Sequence, residues 1–298
     1  MTYRASIVLT SNKTSLDVVT SLKSLFEPNL NDQVEFLVNI ERISREQVSQ
    51  IREIGIRNLV LSDQVGSIAT TLNSLIKASR GELIFRADDD DVYINRRLEN
   101  QLLFMSNNPE IDFSGAALYR SEKGRITSIK FYPTTPDESF IASFFDCHTV
   151  AHPLVCGRRE AFSRLLYRNE AAEDYDLWVR ALNEGLSFAN ISVPMIVYRM
   201  PSYTSDKIAK LRQSVLDSTA NLIEGSLGVN KTVAKYIAMI VSQQNNHRLT
   251  SSEIAAAHSV FIGRLMAKGY GIRLIERVVK SFHPFLHQQL FPREGFHT

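Results

Sequence analysis

The first third of the chain alternates short apolar runs with stretches of helical spacing. "ASIVLTS" at Ala5 to Ser11 is apolar and of strand length. The next stretch, "SLDVVTSLKSLFEP", repeats its apolar residues at helical spacing, with Ser15 as a candidate cap and Pro28 just past its end. The alternation continues with a strand "VEFLVNI" at Val34 to Ile40, a helix "SREQVSQIREIG" closed by Gly55, and a strand "RNLVLS". A helix from about Ser67 to Ser79 and a strand "ELIFRA" follow. Strands alternating with helices at this spacing predict a mostly parallel sheet covered by helices on both faces. Ligands of such sheets bind beyond the carboxyl ends of the strands.

The pattern changes near residue 205. Beyond it lie four helical segments, "SDKIAKLRQSVLDSTANLIEG", "NKTVAKYIAMIVSQQ", "TSSEIAAAHSVFIGRLMAKG" and "IRLIERVVKSFHPFLHQQLF". They are broken at Gly228, Asn245 and Asn246, Gly269 and Pro284. The expected organisation is an α/β unit over 1–205 and a helical C-terminal region over 206–298.

Composition narrows the function classes. With 298 residues, 44% of them hydrophobic and 22% charged, the chain can bury a large core. The start has no basic and apolar leader pattern, and no apolar run is long enough to cross a bilayer. Cys147 and Cys156, the two cysteines, then read as ordinary buried thiols. The expected location is cytoplasmic, or peripheral on the cytoplasmic face of the inner membrane. Net charge is +2, but residues 201–298 hold 12 Lys and Arg against 6 Asp and Glu. That local +6 suits a solvated helical surface, or attraction to anionic lipid or a phosphorylated substrate. No nucleic-acid motif accompanies it.

Candidate chemistry sits at one strand end. "GELIFRADDDDVYINRR" runs from an apolar strand into Asp88, Asp89, Asp90 and Asp91. Like charges so close repel unless solvent or a cation compensates. In extended chain Asp88 and Asp90 point the same way and can share a target while Asp89 faces elsewhere. Short carboxylates there suit a hard divalent cation, Mn²⁺ or Mg²⁺, completed by water and phosphate oxygens. A calcium loop of the EF-hand type needs glycine at its sixth place, which here is Tyr93. The competing reading is a solvated acidic turn capping the helix that follows.

A second constellation, "NEAAEDYDLWVRALNEG", opens with Glu173, Asp174 and Asp176 and continues as an amphipathic helix ending at Gly185. Acids in a first turn serve as caps and dipole partners, or one of them faces a cleft as a general base. Upstream, "HTVAHPLVCGRREAF" supplies His148 and His152 as further candidates.

The order of "IVLTSN", "VGSIATTLNSLIKASRGELI", "RADDDDVYINRRLENQ", "HPLVCGRREAF", "AEDYDLWVRALNEG" and "VPMIVYRMPSYTS" resembles the family 2 glycosyltransferases of the GT-A fold. It is most similar to bacterial members that build capsule, O-antigen and exopolysaccharide, over roughly residues 1–205. The resemblance implies a Rossmann-like sheet, a nucleotide-sugar donor, UDP-linked, and inverting transfer to a hydroxyl of a saccharide or lipid-linked saccharide. Its Asp-x-Asp motif falls on Asp88, Asp89 and Asp90, with Asp90 and Asp88 toward the metal and Asp88 and Asp89 toward the ribose and sugar. Its acidic helix start falls on Glu173 and Asp174, with Asp174 as base. Thr10, Ser11, Asn12, Asn39, Glu41, Gly66, Asn73 and Arg86 would surround the donor; His152, Trp178 and Arg199 would face the acceptor or sugar. Trp178 offers an apolar face to a sugar ring, or fills the core.

The chain also departs from that pattern. Asn39 and Ile40, then Glu41, stand where many relatives carry two aspartates, and Arg199 is followed by Met200 and Pro201 where a histidine is common. Two other classes compete with a transferase: a metal-dependent nucleotidyltransferase, and a catalytically silent nucleotide-binding scaffold. The first lacks a glycine-rich phosphate loop after the first strand, and against the second both carboxylate motifs are intact. The helical region is expected to pack on the first unit or mediate self-association, or else to present a basic amphipathic face to a membrane.

Overall fold

The computed structural model describes residues 3–12, 17–145, 149–241 and 251–282. Ser15, Cys147, His148, Asn245, Asn246 and Pro284 lie outside the described residues. Four strands open the fold: β1 (Ala5–Ser11), β2 (Val34–Ile40), β3 (Leu59–Ser62) and β4 (Leu83–Ala87). They alternate with helices α1 (Asp17–Leu25), α2 (Arg45–Glu53) and α3 (Ile68–Ala78). All pairs among these strands are parallel, in the order β3-β2-β1-β4. β1, β2 and β4 are buried along nearly their whole length because helices cover both faces. Ser44 caps α2 by accepting from the Gln47 N–H while the Gln47 side chain accepts from the Ser44 N–H.

The second half of the sheet is mixed. It contains β5 (Val92–Tyr93), β6 (Phe113–Glu122), β7 (Arg125–Lys130), β8 (Cys156–Arg158) and β9 (Phe188–Arg199). β8 lies antiparallel between β4 and β6, β9 runs parallel to β6, and β7 forms a hairpin with β6. β5 pairs antiparallel with β9, which brings the chain after the four aspartates back against the end of β9. The helices of this half are α4 (Arg97–Asn107), α5 (Pro136–Ser143), α6 (Arg159–Leu165) and α7 (Glu173–Asn183).

Close contacts fix the central strands. Gly81 precedes β4 so near to β1 that a Cβ would meet the Ala5 carbonyl carbon at 2.4 Å, and its N–H donates to the Ser6 hydroxyl at 2.8 Å. A side chain could be placed there only by moving backbone. Beside it Glu35, 1% exposed, accepts from Ser6 Oγ (2.6 Å), the Arg80 N–H (2.6 Å), Arg80 Nε (3.0 Å) and Arg80 Nη2 (2.8 Å).

The C-terminal helices are α8 (Ser205–Leu227), α9 (Lys231–Val241), α10 (Ser251–Ala267) and α11 (Ile272–Phe282). They share a core with the sheet: Trp178, Phe113 and Phe162 belong to the same apolar cluster as Leu222, Ile237, Phe261 and Val279. The apolar stripe of α11 therefore faces inward, with Ile275, Val278 and Val279 at 0–1% exposure. No helix among the described residues is long and apolar enough to cross a membrane.

Candidate active site

The carboxyl ends of β1, β2 and β4 open into a cavity of about 370 Å³ lined by Thr10, Ser11, Asn12, Asn39, Glu41, Gly66, Arg86, Asp88, Asp89, Asp90 and Arg199. A second cavity of about 620 Å³ adjoins it and holds Glu173, Asp174 and His152. Both volumes fall in the usual range for small-ligand sites. Asn12, Ile68, Asp88, Tyr198, Tyr203 and Lys207 line both cavities.

The four aspartates divide their tasks. Asp88 Oδ1 pairs with Arg86 Nη2 at 2.6 Å, and its N–H donates to the Tyr93 hydroxyl at 2.6 Å. Asp89 is 8% exposed and accepts a short hydrogen bond from Ser11 Oγ, tying the aspartate loop to the end of β1. Asp90 lines the first cavity. Asp91, 1% exposed, points away: its Oδ1 accepts from the Arg199 N–H at 2.8 Å, and its carbonyl accepts from Ser21 Oγ at 2.7 Å. Burial and the negative Asp88 push Asp91 up to about 8. One wall of the aspartate loop is thus structural and the other faces the cavity. Arg86 is 2% exposed, and its Nε and Nη1 are buried without a hydrogen-bond partner. A fixed cation there offsets the crowded carboxylates, as the Coulomb law requires.

The donor set fits a hard divalent cation. Asp88 and Asp90 present carboxylate oxygens to the same cavity, while no group of three His, Cys, Asp or Glu that could hold a metal occurs among the described residues. A cation bound here would draw its remaining ligands from water and a phosphate-bearing substrate, which is the habit of Mg²⁺ and Mn²⁺.

The start of α7 separates its acids in the same way. Asp176, 8% exposed, is held by Arg180 Nε at 2.8 Å. Glu173 and Asp174 line the larger cavity. Asp174 Oδ1 accepts from the Tyr175 N–H at 2.8 Å. Burial, reinforced by the charge of Asp174, pushes Glu173 up to about 7. α8 braces this helix start: Ser214 Oγ accepts from the Ala172 N–H at 3.2 Å, and the Tyr175 hydroxyl lies 3.1 Å from Thr219 Oγ1. His152 Nε2 lies 3.0 Å from the Tyr167 hydroxyl at the edge of the same cavity.

Two sequence expectations are corrected. Trp178 is 1% exposed and packs against Phe113 and Phe188, so it belongs to the core and offers no face to a sugar. It is buried because the sheet covers one side of α7 and α8 the other. Asn73 lies outside both cavities; its amide donates to the Tyr167 carbonyl and accepts from the Tyr167 N–H, each at 2.8 Å. Arg199 lines the cavity of the aspartates, with Nη1 3.2 Å from Asp17 Oδ2. Asn39 lines its expected cavity, but its amide is engaged by Ser62 Oγ and by the Gln64 N–H and carbonyl. Sequence reasoning missed Tyr167, Tyr203, Lys207, Arg120 and Lys130. The last four line the larger cavity; Tyr203 stands inside "VPMIVYRMPSYTS" without having been singled out, and no local motif marks the other three.

Comparison with known proteins places this geometry. No family model matches the chain. The O-antigen biosynthesis glycosyltransferase WbnJ of Escherichia coli is 28% identical over 169 residues, 55% of this chain and 65% of that protein. A second E. coli protein, named UDP-Gal:alpha-D-GlcNAc-diphosphoundecaprenol beta-1,3-galactosyltransferase, is 23% identical over 67% of this chain and 74% of its own length. For several other curated relatives the match spans about half of their length, 46% to 56%. Among solved structures, S. aureus TarS 1-349 in complex with UDP-GlcNAc superposes with a TM-score of 0.59 at 14% identity, covering 96% of this chain and 87% of that one. The mannosyltransferase PcManGT from Pyrobaculum calidifontis, in complex with GDP-Man and Mn²⁺, gives 0.52 at 12% identity, covering 97% and 85%. The fold is that of the GT-A glycosyltransferases. By sequence the chain is similar to glycosyltransferases named for O-antigen and exopolysaccharide biosynthesis.

Proposed function

We propose that the chain is an inverting glycosyltransferase that moves a sugar from a nucleotide-sugar donor, UDP-linked, to a hydroxyl of a growing bacterial surface polysaccharide or lipid-linked oligosaccharide. The observation that carries this reading is the pair of adjoining cavities that share Asp88, one holding the aspartate loop and the other Glu173 and Asp174. A donor phosphate in the smaller cavity and an acceptor hydroxyl in the larger one would meet at their common wall. The names of the curated relatives support transfer to a surface or lipid-linked saccharide, and the nucleotide-sugar complexes of the structural neighbours support the donor class.

Asp174 accepts the proton of the attacking hydroxyl, a contribution of about 10²–10⁴-fold for a positioned base. Glu173, pushed up to about 7 by burial and by the charge of Asp174, keeps a proton through mildly acidic pH. Ser11 and Arg86 fix Asp89 and Asp88, so the loop needs no rearrangement as the donor enters. Asp88 and Asp90 are the residues that would hold a divalent cation, Mn²⁺ or Mg²⁺, which when bound neutralises charge on the leaving diphosphate. The Mn²⁺ complex of PcManGT supports that choice of cation class.

The test incubates the full chain with Mn²⁺ and a panel of nucleotide sugars and measures release of nucleoside diphosphate. One donor is expected to be consumed, with loss of consumption in EDTA. Pyrophosphate released from a nucleoside triphosphate in the presence of a sugar phosphate, with no nucleoside diphosphate released from any nucleotide sugar, would instead indicate a nucleotidyltransferase. No consumption and no thermal protection by any donor would overturn the reading in favour of a silent scaffold.

A further inference from the structure

Three cationic side chains among the described residues line the cavity of the aspartates, and two of them are already paired. Arg86 Nη2 lies 2.6 Å from Asp88 Oδ1, and Arg199 Nη1 lies 3.2 Å from Asp17 Oδ2. The third is Lys207, in the first turn of α8. Among the described residues no salt bridge engages it. Its ammonium rests 4.3 Å from the centroid of the Tyr203 ring. Both residues are exposed, Tyr203 at 42%, and a cation over an exposed ring is held only weakly.

Lys207 and Tyr203 stand between two groups of acids, because both line the two cavities. The smaller cavity holds Glu41, Asp88, Asp89 and Asp90, and the larger holds Glu170, Glu173 and Asp174 beside the shared Asp88. Burial and the charges of Asp174, Asp88, Glu173 and Asp90 push the Tyr203 hydroxyl up, so the field of both groups reaches this ring. The backbone of the helix start is fixed by Thr204, whose hydroxyl accepts from the Lys207 N–H at 3.3 Å. The flexible four-carbon stem of Lys207 is then the part that can swing. An ammonium paired with one of those acids would fill the cavity, whereas one kept on a ring stays available to an incoming anion.

We propose that Lys207 is a catalytic residue of the transfer: it leaves the Tyr203 ring and binds the sugar-bearing phosphate of the donor, with Tyr203 as its positioning residue. The proposal rests on the transferase reading and adds a cation of the protein itself to the charge on the leaving group. The acceptor oxygen bonds to the anomeric carbon and its proton passes to Asp174, while the bond from that carbon to the phosphate oxygen breaks and its electron pair stays on the phosphate. Lys207 keeps its proton and meets the added negative charge with a charge-assisted hydrogen bond. A guanidinium fixed in an ion pair, as in Arg86, cannot follow the departing phosphate in this way.

The experiment uses the full chain with Mn²⁺ and titrates UDP and GDP beside uridine and guanosine. A diphosphate is expected to bind more tightly than its own nucleoside. Lys207→Met should raise the diphosphate Kd by about tenfold and move the nucleoside by less than about twofold, as expected for losing a charge-assisted hydrogen bond. Lys207→Arg, which keeps the charge, should recover part of the loss. With a consumed nucleotide sugar, Lys207→Met should also lower kcat by about tenfold, since charge that grows in the transition state is stabilised more there than in the bound donor. Tyr203→Leu releases the ammonium onto an acid and should raise the diphosphate Kd by about threefold, a loss that Tyr203→Phe recovers by keeping the ring. In the Lys207→Met background Tyr203→Leu should add nothing; additive losses would remove the positioning role. Lys207 is exposed, and far-UV circular dichroism checks that each variant folds. Absence of diphosphate binding, an unchanged diphosphate Kd in Lys207→Met, or an equal loss for the nucleoside would overturn the proposal. If the Kd follows Lys207 but no nucleotide sugar is consumed, the transferase reading falls and Lys207 stands as an anion-binding residue only; donor consumption with Kd and kcat unmoved in Lys207→Met gives the reverse.

Discussion

Glu35 and Glu173 are the same side chain in opposite settings. Glu35, on β2, is 1% exposed and receives four hydrogen bonds from Ser6 and Arg80. Glu173, at the start of α7, is partly buried beside the like charge of Asp174 and is pushed up to about 7. Burial alone therefore does not mark a functional acid. What marks it is burial whose cost the neighbours leave uncompensated, because such a group changes its proton affinity instead of fixing structure.

The comparison can be broken most decisively on the functional side. Asp174→Asn is expected to cut transfer by about 10²–10⁴-fold while donor affinity stays within about twofold, since a base acts on the acceptor. Equal loss of donor affinity, read by titration with the nucleotide sugar, would make Asp174 a cap or a nucleotide contact. Asp90→Asn should lower turnover about 10²-fold and weaken Mn²⁺-dependent nucleotide binding. Undiminished activity in metal-free buffer would remove the cation from the account.

On the structural side, Glu35→Ala strands the Ser6 hydroxyl and the Arg80 N–H at the β1–β4 junction. A loss of about 2–3 kcal/mol is expected, discounted because the Arg80 side chain is 59% exposed and can reach water. Denaturant unfolding reads this, and an unchanged midpoint would show that the network is dispensable.

The smallest effect concerns pH. Because the folded-state pKa of Glu173 lies near 7, above the ordinary 4.5, the folded chain holds that proton more tightly than the unfolded one. Its contribution to stability is complete below about 4.5 and is lost as pH rises through about 7. In EDTA the thermal midpoint should fall as pH rises from about 4.5 to about 7, where Asp91, raised to about 8, contributes as well, and Glu173→Gln should lessen that slope. An identical slope in the variant would assign it to another group.

Much of the first half of the fold was legible. The parallel order of β1 to β4 follows from apolar runs of strand length separated by helical spacing, and the aspartates stand where such a sheet presents its ligands. The mixed half was not, because the pairing of β6 with β8 and β9 joins segments far apart in sequence and local pattern says nothing of direction. The candidate acids were readable as motifs, but their division of labour was not. Asp176 and Asp91 look like their neighbours in sequence, and only the placement of Arg180 and the Arg199 N–H shows that they hold structure. Trp178 illustrates the same limit: helical spacing puts it one turn from Asp174, while burial on both sides of α7 removes it from solvent. For the C-terminal helices the sequence left packing on the first unit and a membrane-facing surface both open, and it did not show that Ser214 and Thr219 of α8 brace the start of α7.

The two cavities share a wall, with Asp88, Tyr198, Tyr203 and Lys207 among its residues. A ligand that reorients Tyr203 or neutralises Asp88 from one side would alter what the other side offers. Any such coupling is mutual: the factor by which a ligand in one cavity changes affinity in the other equals the factor by which the second changes affinity for the first.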